Sequence, residues 1–322
     1  MPISNPLVWT DPANAGLDIA AGLPLPATAL DAIASDLKFL GGVDGASGIA
    51  SRPSLLTNGG LEVWQRGVGP FTSGYTADRW SVTAVTSTAS VTKESATVDV
   101  ASGASLKIVA TFAAGGACYL QQQIEDVAQL RGKTVTFSCR VNTTVAGVTA
   151  FVADSGSSAG GVPNTLVGQW ETISVTKVVS AGATTMSVQV AMPSATTTVF
   201  IDNCMLTIGV AAPYAPLTAA DEMARCQRYY EIIGTPGSSV IVAGIATAGA
   251  QSAYAMLVYK AYKPVAPTIT RVGTWTLTNA TGQPTAVGDQ TCCYLTITST
   301  AAGQFSAYNN VAGCFISVES NP

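Results

Sequence analysis

Residues 133–141 read KTVTFSCRV and residues 170–178 read WETISVTKV. In both, apolar side chains recur on every second position, as in a strand with one buried face and one wet face. The same alternation returns in RWSVTAV (79–85), SLKIVATF (105–112), TMSVQVAM (185–192) and TVFIDNCMLTI (198–208), with Gly, Ser and Asn between the runs. Short strands separated by turn signals predict a sandwich or jelly roll over residues 55–212. After residue 238 the pattern resumes in SVIVAGIATA, AYAMLVYKAY, TITRVGTWTLT, CCYLTITST and GCFISVES. These runs predict a second β domain over 236–322. The expected fold class is all-β: a jelly-roll β-sandwich plus a smaller C-terminal β domain, preceded by a short extended segment and a helix.

Two stretches break the strand pattern. PYAPLTAADEMARCQRYYEII (213–233) predicts a bridging helix over 213–235. Thr218 is placed to cap a helix, Asp221 and Glu222 favour its first turn, and the helix is expected to run to about Ile232. Nearer the start, TALDAIASDLKFLGG (28–42) puts Leu30, Ile33, Leu37 and Leu40 on one stripe and predicts a helix over 28–40. Three turns alone are marginal in water, so this helix needs a partner, sister copies, or its own sandwich. Pro2, Pro6, Pro12, Pro24 and Pro26 forbid a continuous helix before it, and Val8 and Trp9 are apolar. Residues 43–54 (VDGASGIASRPS) read as a linker.

Composition narrows the function. The 322 residues are 48% hydrophobic and only 11% charged, with net charge −4. Mean hydropathy is +0.35 and the isoelectric point about 4.8. No apolar run reaches the ~20 residues of a membrane span, so no membrane insertion is expected. Nothing marks a nucleic-acid groove. Low charge on such a chain implies that part of its surface is covered by copies of itself or by a larger particle. There is no histidine, which removes the usual general base and the commonest transition-metal ligand. Seven cysteines without a CxxC spacing read as buried free thiols of a protein made in a reducing cytoplasm. The N-terminus lacks the basic and apolar regions of a signal peptide. No nucleotide-binding glycine motif precedes a helix, and the chain is expected not to be an enzyme.

Three blocks carry a family likeness: NGGLEVWQRGVGPFTSGYTADRW (58–80), YLQQQIEDVAQLRGKTVTFSCRV (119–141) and RCQRYYEIIG (225–234), the last followed by YKPVAPTIT (262–270). Their order resembles bacteriophage tail-fibre and virion fibre proteins whose main domain is similar to a carbohydrate-binding-module jelly roll. The likeness covers roughly 55–270, and residues 1–54 lie outside it. It implies a virion subunit assembled in the host bacterial cytoplasm and self-associating as a homotrimer. Residues 1–54 would anchor it to other virion proteins, with Val8, Trp9, Leu30, Ile33, Leu37 and Leu40 as contacts, and the β domains would meet a host-surface glycan. A capsid decoration or head-fibre protein, and a polysaccharide depolymerase or its accessory module, are the alternatives.

The likeness also implies sites. Glu62 on the first strand and Asp202 on the last would share a structural calcium (Ca2+), with Asn58 and Asn203 adding oxygens. Plain hydrogen-bonded carboxylates are the competing reading. Tyr119, Gln121, Gln123 and Trp170, with Tyr75 in a Gly-flanked loop, would form a glycan face, against core packing as the alternative. Trp64 and Trp80 read as core, and Arg66 with Asp78 as a structural ion pair.

Overall fold

A computed structural model describes residues 54–100, 102–234 and 241–321. All described residues belong to one compact unit. The expected helix over 28–40 and the anchoring residues Val8, Trp9, Leu30, Ile33, Leu37 and Leu40 lie outside the described residues.

The first body is a sandwich of β1 (Gly74–Tyr75), β2 (Ser81–Glu94), β3 (Ser105–Gln123), β4 (Thr134–Thr143), β5 (Thr149–Asp154), β6 (Ser158–Gly160), β7 (Glu171–Val178), β8 (Met186–Ala191) and β9 (Thr197–Ile208). Strand β3 serves two layers. Its first half pairs with β9, Leu106 opposite Ile201, and its last residues pair with β8, Tyr119 opposite Ala191. Strand β2 follows β3 along both halves. The front layer is therefore β6-β5-β8-β3-β2-β1 and the back layer β7-β4-β9-β3-β2. The chain bends between them at Gly115 and Gly116. Gly115 has φ +74°, and a Cβ on Gly116 would lie 2.5 Å from the Thr86 carbonyl oxygen, so only glycine fits there.

Alternation fixes which face is dry. Leu120, Val188, Val190 and Val152 point in from the front; Ile108, Phe137, Ile173 and Ile201 point in from the back, and all are buried in one core. Each such side chain contributes about 1.5–3 kcal/mol of burial. At the open edge, Lys177 on β7 reaches Asp154 on β5 at 2.6 Å, with both side chains buried. Burial pushes the Asp154 carboxyl up. The Lys177 bond and the N–H groups of Ser180, Ser157 and Gly156 outweigh it and hold the carboxyl well below the usual range.

After the sandwich comes a helix, α1 (Ala219–Gln227), whose cap Thr218 accepts from the Asp221 N–H at 3.3 Å. It stops well short of Ile232, correcting the bridging helix expected over 213–235. Tyr230–Ile233 forms a strand, β10, paired with Phe315–Glu319. Tyr230, Ile232 and Ile233 are aromatic and β-branched, which favours a strand, and pairing with Phe315–Glu319 takes them out of the helix. The buried Lys263 ammonium also takes the Gln227 carbonyl at the helix end and the Glu231 carboxylate at 2.9 Å.

The second body is built from β10, β11 (Ile241–Ala246), β12 (Ser252–Val258), β13 (Thr268–Val272), β14 (Thr276–Thr278), β15 (Ala280–Gly288), β16 (Cys292–Ser299), β17 (Gly303–Tyr308) and β18 (Phe315–Glu319). They form three three-stranded sheets, β10-β18-β13, β11-β17-β14 and β12-β16-β15. The registers show one ribbon running through all three. Tyr230 faces Glu319, Ile241 faces Tyr308 and Ser252 faces Thr298, so the first run climbs steadily while the last descends beside it. The run from β13 to β15 lies on the other side of that returning run. Two corners bend the ribbon into three facets around Trp275, Leu295, Ile297, Phe305, Ile316 and Val318.

The two bodies are joined by the motif blocks themselves. Asn58 closes the turn to Val63: its Oδ1 accepts the Val63 N–H at 3.0 Å, and its Nδ2 donates to the Val63 and Asp78 carbonyls. Buried Trp80 donates to the Asn58 carbonyl at 2.8 Å. Asp78 accepts the Gln65 N–H at 3.0 Å and stands 3.8 Å from Arg66. Arg66 then lies 3.6 Å over the Tyr230 ring and reaches Glu319 at 3.1 Å. Arg79 lies 3.8 Å over Tyr229 and donates to Gln123 and Asn321.

Replacing Arg66 removes a stacked cation from a nearly dry junction and leaves the buried Asp78 carboxylate with its Gln65 bonds but no neighbouring cation. Arg66→Ala should lower unfolding stability by about 3 kcal/mol, and Arg66→Lys should recover little, because an ammonium cannot lie flat on a ring. Urea denaturation measures this; a loss below about 0.5 kcal/mol would contradict the clamp.

Candidate functional site

Cross-strand partners share a face. The pairings therefore lay out the outer face of the front layer row by row. One row runs Tyr75, Ser81, Gln121, Gln189, Phe151, Gly160 across β1, β2, β3, β8, β5 and β6. The row above is Thr83, Tyr119, Ala191 and Thr149, and the row below is Gln123, Ser187, Ala153 and Ser158. At about 4.8 Å per strand, the long row crosses roughly 24 Å. None of these side chains is charged. Tyr119, Gln121, Gln123, Gln189 and Phe151 are all half-buried, while the intervening Leu120, Val188, Val190, Ala150 and Val152 are in the core.

Two details prepare this face for a ligand. A Cβ on Gly160 would lie 2.6 Å from Cε1 of Phe151, so the absent side chain lets the ring lie over the edge strand. Beside it, the Gln121 amide and the Tyr119 hydroxyl have no hydrogen-bond partner among the described residues. The result is two aromatic rings flanking unengaged amide donors and acceptors on a rigid sheet, which suits a neutral polyhydroxyl ligand.

The structure thus brings Tyr75, Tyr119, Gln121 and Gln123 onto one face. Tyr75 has a second contact there, with the Arg66 guanidinium 5.1 Å over its ring, and burial pushes its hydroxyl pKa up. Trp170 does not join them. It immediately precedes β7 in the back layer, and its carbonyl accepts from Arg140 at 3.3 Å. Phe151 and Gln189 belong to the face but carry no sequence motif. The only available signal was the phase of MSVQVA, which sets Gln189 opposite to Val188 and Val190.

The calcium set does not assemble as expected. Asn58 is fully buried, and its amide is spent on the turn to Val63, so it does not fit as a ligand. Glu62 Oε1 accepts the Gly103 N–H at 2.9 Å, and Asp202 accepts from Asp99 at 3.2 Å and Asn203 at 2.7 Å. The Asn203 amide is turned to Asp99. Among the described residues, no group of three or more acidic, histidine or cysteine side chains converges as a metal site. Glu62 and Asp202 act as loop-holding carboxylates.

A pocket of about 410 Å³ lies between the sandwich and α1, lined by Arg79, Gln122, Glu125, Arg225, Arg228 and Tyr229. Its polar groups serve one another. Arg225 donates to the Ser54 and Leu56 carbonyls, Tyr229 donates to Glu125 at 2.6 Å, and Gln122 exchanges two bonds with the Thr57 backbone. This is a junction holding α1 in place.

No protein-family profile and no curated protein matches the chain. Among solved structures, the xylan-binding CBM22-1 domain of Paenibacillus barcinonensis Xyn10C is similar at 14% identity and TM-score 0.34, over 51% of this chain and 100% of that one. TmCBM61 in complex with β-1,4-galactotriose is similar at 17% identity and TM-score 0.33, over 49% and 99%. The enzymatically active domain of bacteriophage CBA120 tailspike protein 4 is similar at 14% identity and TM-score 0.34, over 44% of this chain and 22% of that one. At these scores the similarities carry no functional weight.

Burial pushes the Asp202 carboxyl up to about 6, against hydrogen bonds from Asp99, Ser102 and Asn203, with the Asp99 charge adding to the rise. Its folded pKa lies above its unfolded value, so its contribution to stability is full below about pH 4 and is lost as pH rises through about 6. Asp154, held low, behaves oppositely: its contribution is present above about pH 4 and is lost as pH falls further. A carboxyl NMR titration should place the Asp202 midpoint near pH 6; a midpoint below 4 would contradict this environment.

Proposed function

We propose that this chain is a non-catalytic glycan-binding subunit of a phage virion, a fibre or spike protein that holds host-surface carbohydrate on the outer face of the front layer. The observation that carries the binding reading is the uncharged row Ser81, Gln121, Gln189, Phe151, with Tyr119 in the row beside it. Rings offer flat apolar surface to the C–H faces of a sugar, and amides match its hydroxyls. Three rows on rigid strands need no rearrangement before binding, which limits the ordering cost. The absence of charge favours a neutral glycan over an acidic one.

The same rows support the non-catalytic reading. Cleavage of a glycosidic bond ordinarily requires two carboxylates flanking it, and these rows contain none. The virion assignment rests on the sequence blocks, and the anchoring role of residues 1–54 on their apolar Val8, Trp9, Leu30, Ile33, Leu37 and Leu40. A particle that displays several copies gains avidity from weak single sites, so one modest face per chain is sufficient.

An array of neutral oligosaccharides and host-surface polysaccharides tests the face. Phe151→Ala and Tyr119→Ala should each weaken binding about tenfold, the ~1.4 kcal/mol expected for one stacking ring. Gln121→Ala should weaken it by a similar factor, and Trp170→Ala should leave it unchanged. Wild-type binding that survives Phe151→Ala, Tyr119→Ala and Gln121→Ala together would refute the assignment.

A further inference from the structure

Strand β12 reads SAYAMLV, apolar on both of its faces. A strand with that pattern is one covered on both sides, because a half-wet strand alternates with polar residues. Within the chain only one side is covered. Ala253, Ala255 and Leu257 pack on the ribbon core, while Tyr254, Met256 and Val258 stay 69%, 59% and 68% exposed. The partner strands continue the bare face. Met256 lies opposite Tyr294, which lies opposite Val287, and these are 41% and 64% exposed. Tyr254 lies opposite Thr296, itself opposite Thr285, so the row beside them is uncharged as well.

The five large side chains leave roughly 550 Å² of contiguous apolar surface, at the upper end of what a monomer leaves bare. With the flanking serine and threonine rows the facet offers roughly 800 Å², the area each partner contributes to a stable protein interface. Its strand rows carry no charge, and Asp289 stands at the rim beside Tyr294, so the facet complements a surface whose centre is itself uncharged, apolar and flat. The facet meets that description itself. A copy placed face to face or side by side against the same strands buries Tyr on Met and Val without stranding a charge.

We infer that the outer face of β12-β16-β15 is a self-association surface, and that its occupant is a second copy of this chain. The inference is independent of the carbohydrate reading, which uses strands of the sandwich and none of the ribbon. Association here also accounts for a mean hydropathy of +0.35 in a chain with no long apolar helix among its described residues.

The test is the solution mass of the full 322-residue chain, measured by size exclusion with light scattering across about 1–100 µM. The wild type should run as a dimer or larger closed oligomer. Met256→Lys and, separately, Val287→Glu should shift it to the monomer mass. Both positions are exposed, so far-UV circular dichroism and the melting profile of each monomeric variant should stay those of a folded β protein. Oligosaccharide binding by the monomeric variants should keep its single-site affinity, which separates a failure of this inference from a failure of the glycan face. A wild type that stays monomeric throughout, or charged variants that keep the wild-type mass, would overturn it.

Discussion

Two guanidinium groups hold this molecule together. Arg66 stacks on Tyr230 and Arg79 on Tyr229, each from the sandwich onto the first residues of the ribbon. Their geometry depends on Asn58 and Asp78, which fix the turn and the strand entry from which both arginines project. Arginine suits the position: it is planar, always charged and weakly hydrated, so it can lie on a ring inside a nearly dry contact. The first and third of the sequence blocks that carry the family likeness supply the parts of this clamp, while the second supplies Tyr119, Gln121 and Gln123 of the front face.

That arrangement separates structural chemistry from surface chemistry. Charged residues concentrate where elements must be locked: Asp78 with Arg66, Glu125 with Arg228, Glu231 with Lys263, Asp154 with Lys177. Two broad faces are left without charge, the amide-and-ring rows on the sandwich and the apolar facet on the ribbon. They differ in kind. The first mixes unengaged amides with rings and suits a hydrated ligand. The second is Tyr, Met and Val with threonine and suits another protein surface. A clamp that fixes sandwich to ribbon keeps these faces in constant relation within the unit.

The β class and the sandwich strands were legible because period-two alternation is a direct consequence of one dry face. Thr218 was legible as a cap because its hydroxyl meets the Asp221 N–H. The end of α1 was not. Tyr229 and Tyr230 are tolerable in a helix, and only the distant strand Phe315–Glu319, together with the arginines waiting for two rings, pulls them out. Strand β15 was not among the predicted runs: it contains Gly282 and Pro284, which sit on an edge strand at a register shift, where a missing N–H is tolerated. On the candidate face, Tyr119, Gln121 and Gln123 could be read from their alternation on one strand. Phe151 and Gln189 could not be joined to them, because register across three strands is set by the whole sheet. Trp170 misled for the same reason: an aromatic at a strand start says nothing about which layer the strand joins. Asn58 looked like an oxygen donor, but its spacing to Val63 makes it a turn-closing amide.

The claim on which the functional account turns is the location of the ligand. Amide chemical-shift mapping during titration with a binding oligosaccharide locates it residue by residue. The account predicts that the largest shifts fall on Tyr119–Gln123, Phe151 and Gln189, with little change around Trp170 or in the pocket lined by Arg79 and Arg228. Shifts centred on that pocket or on the 162–170 loop, with the front face silent, would contradict it.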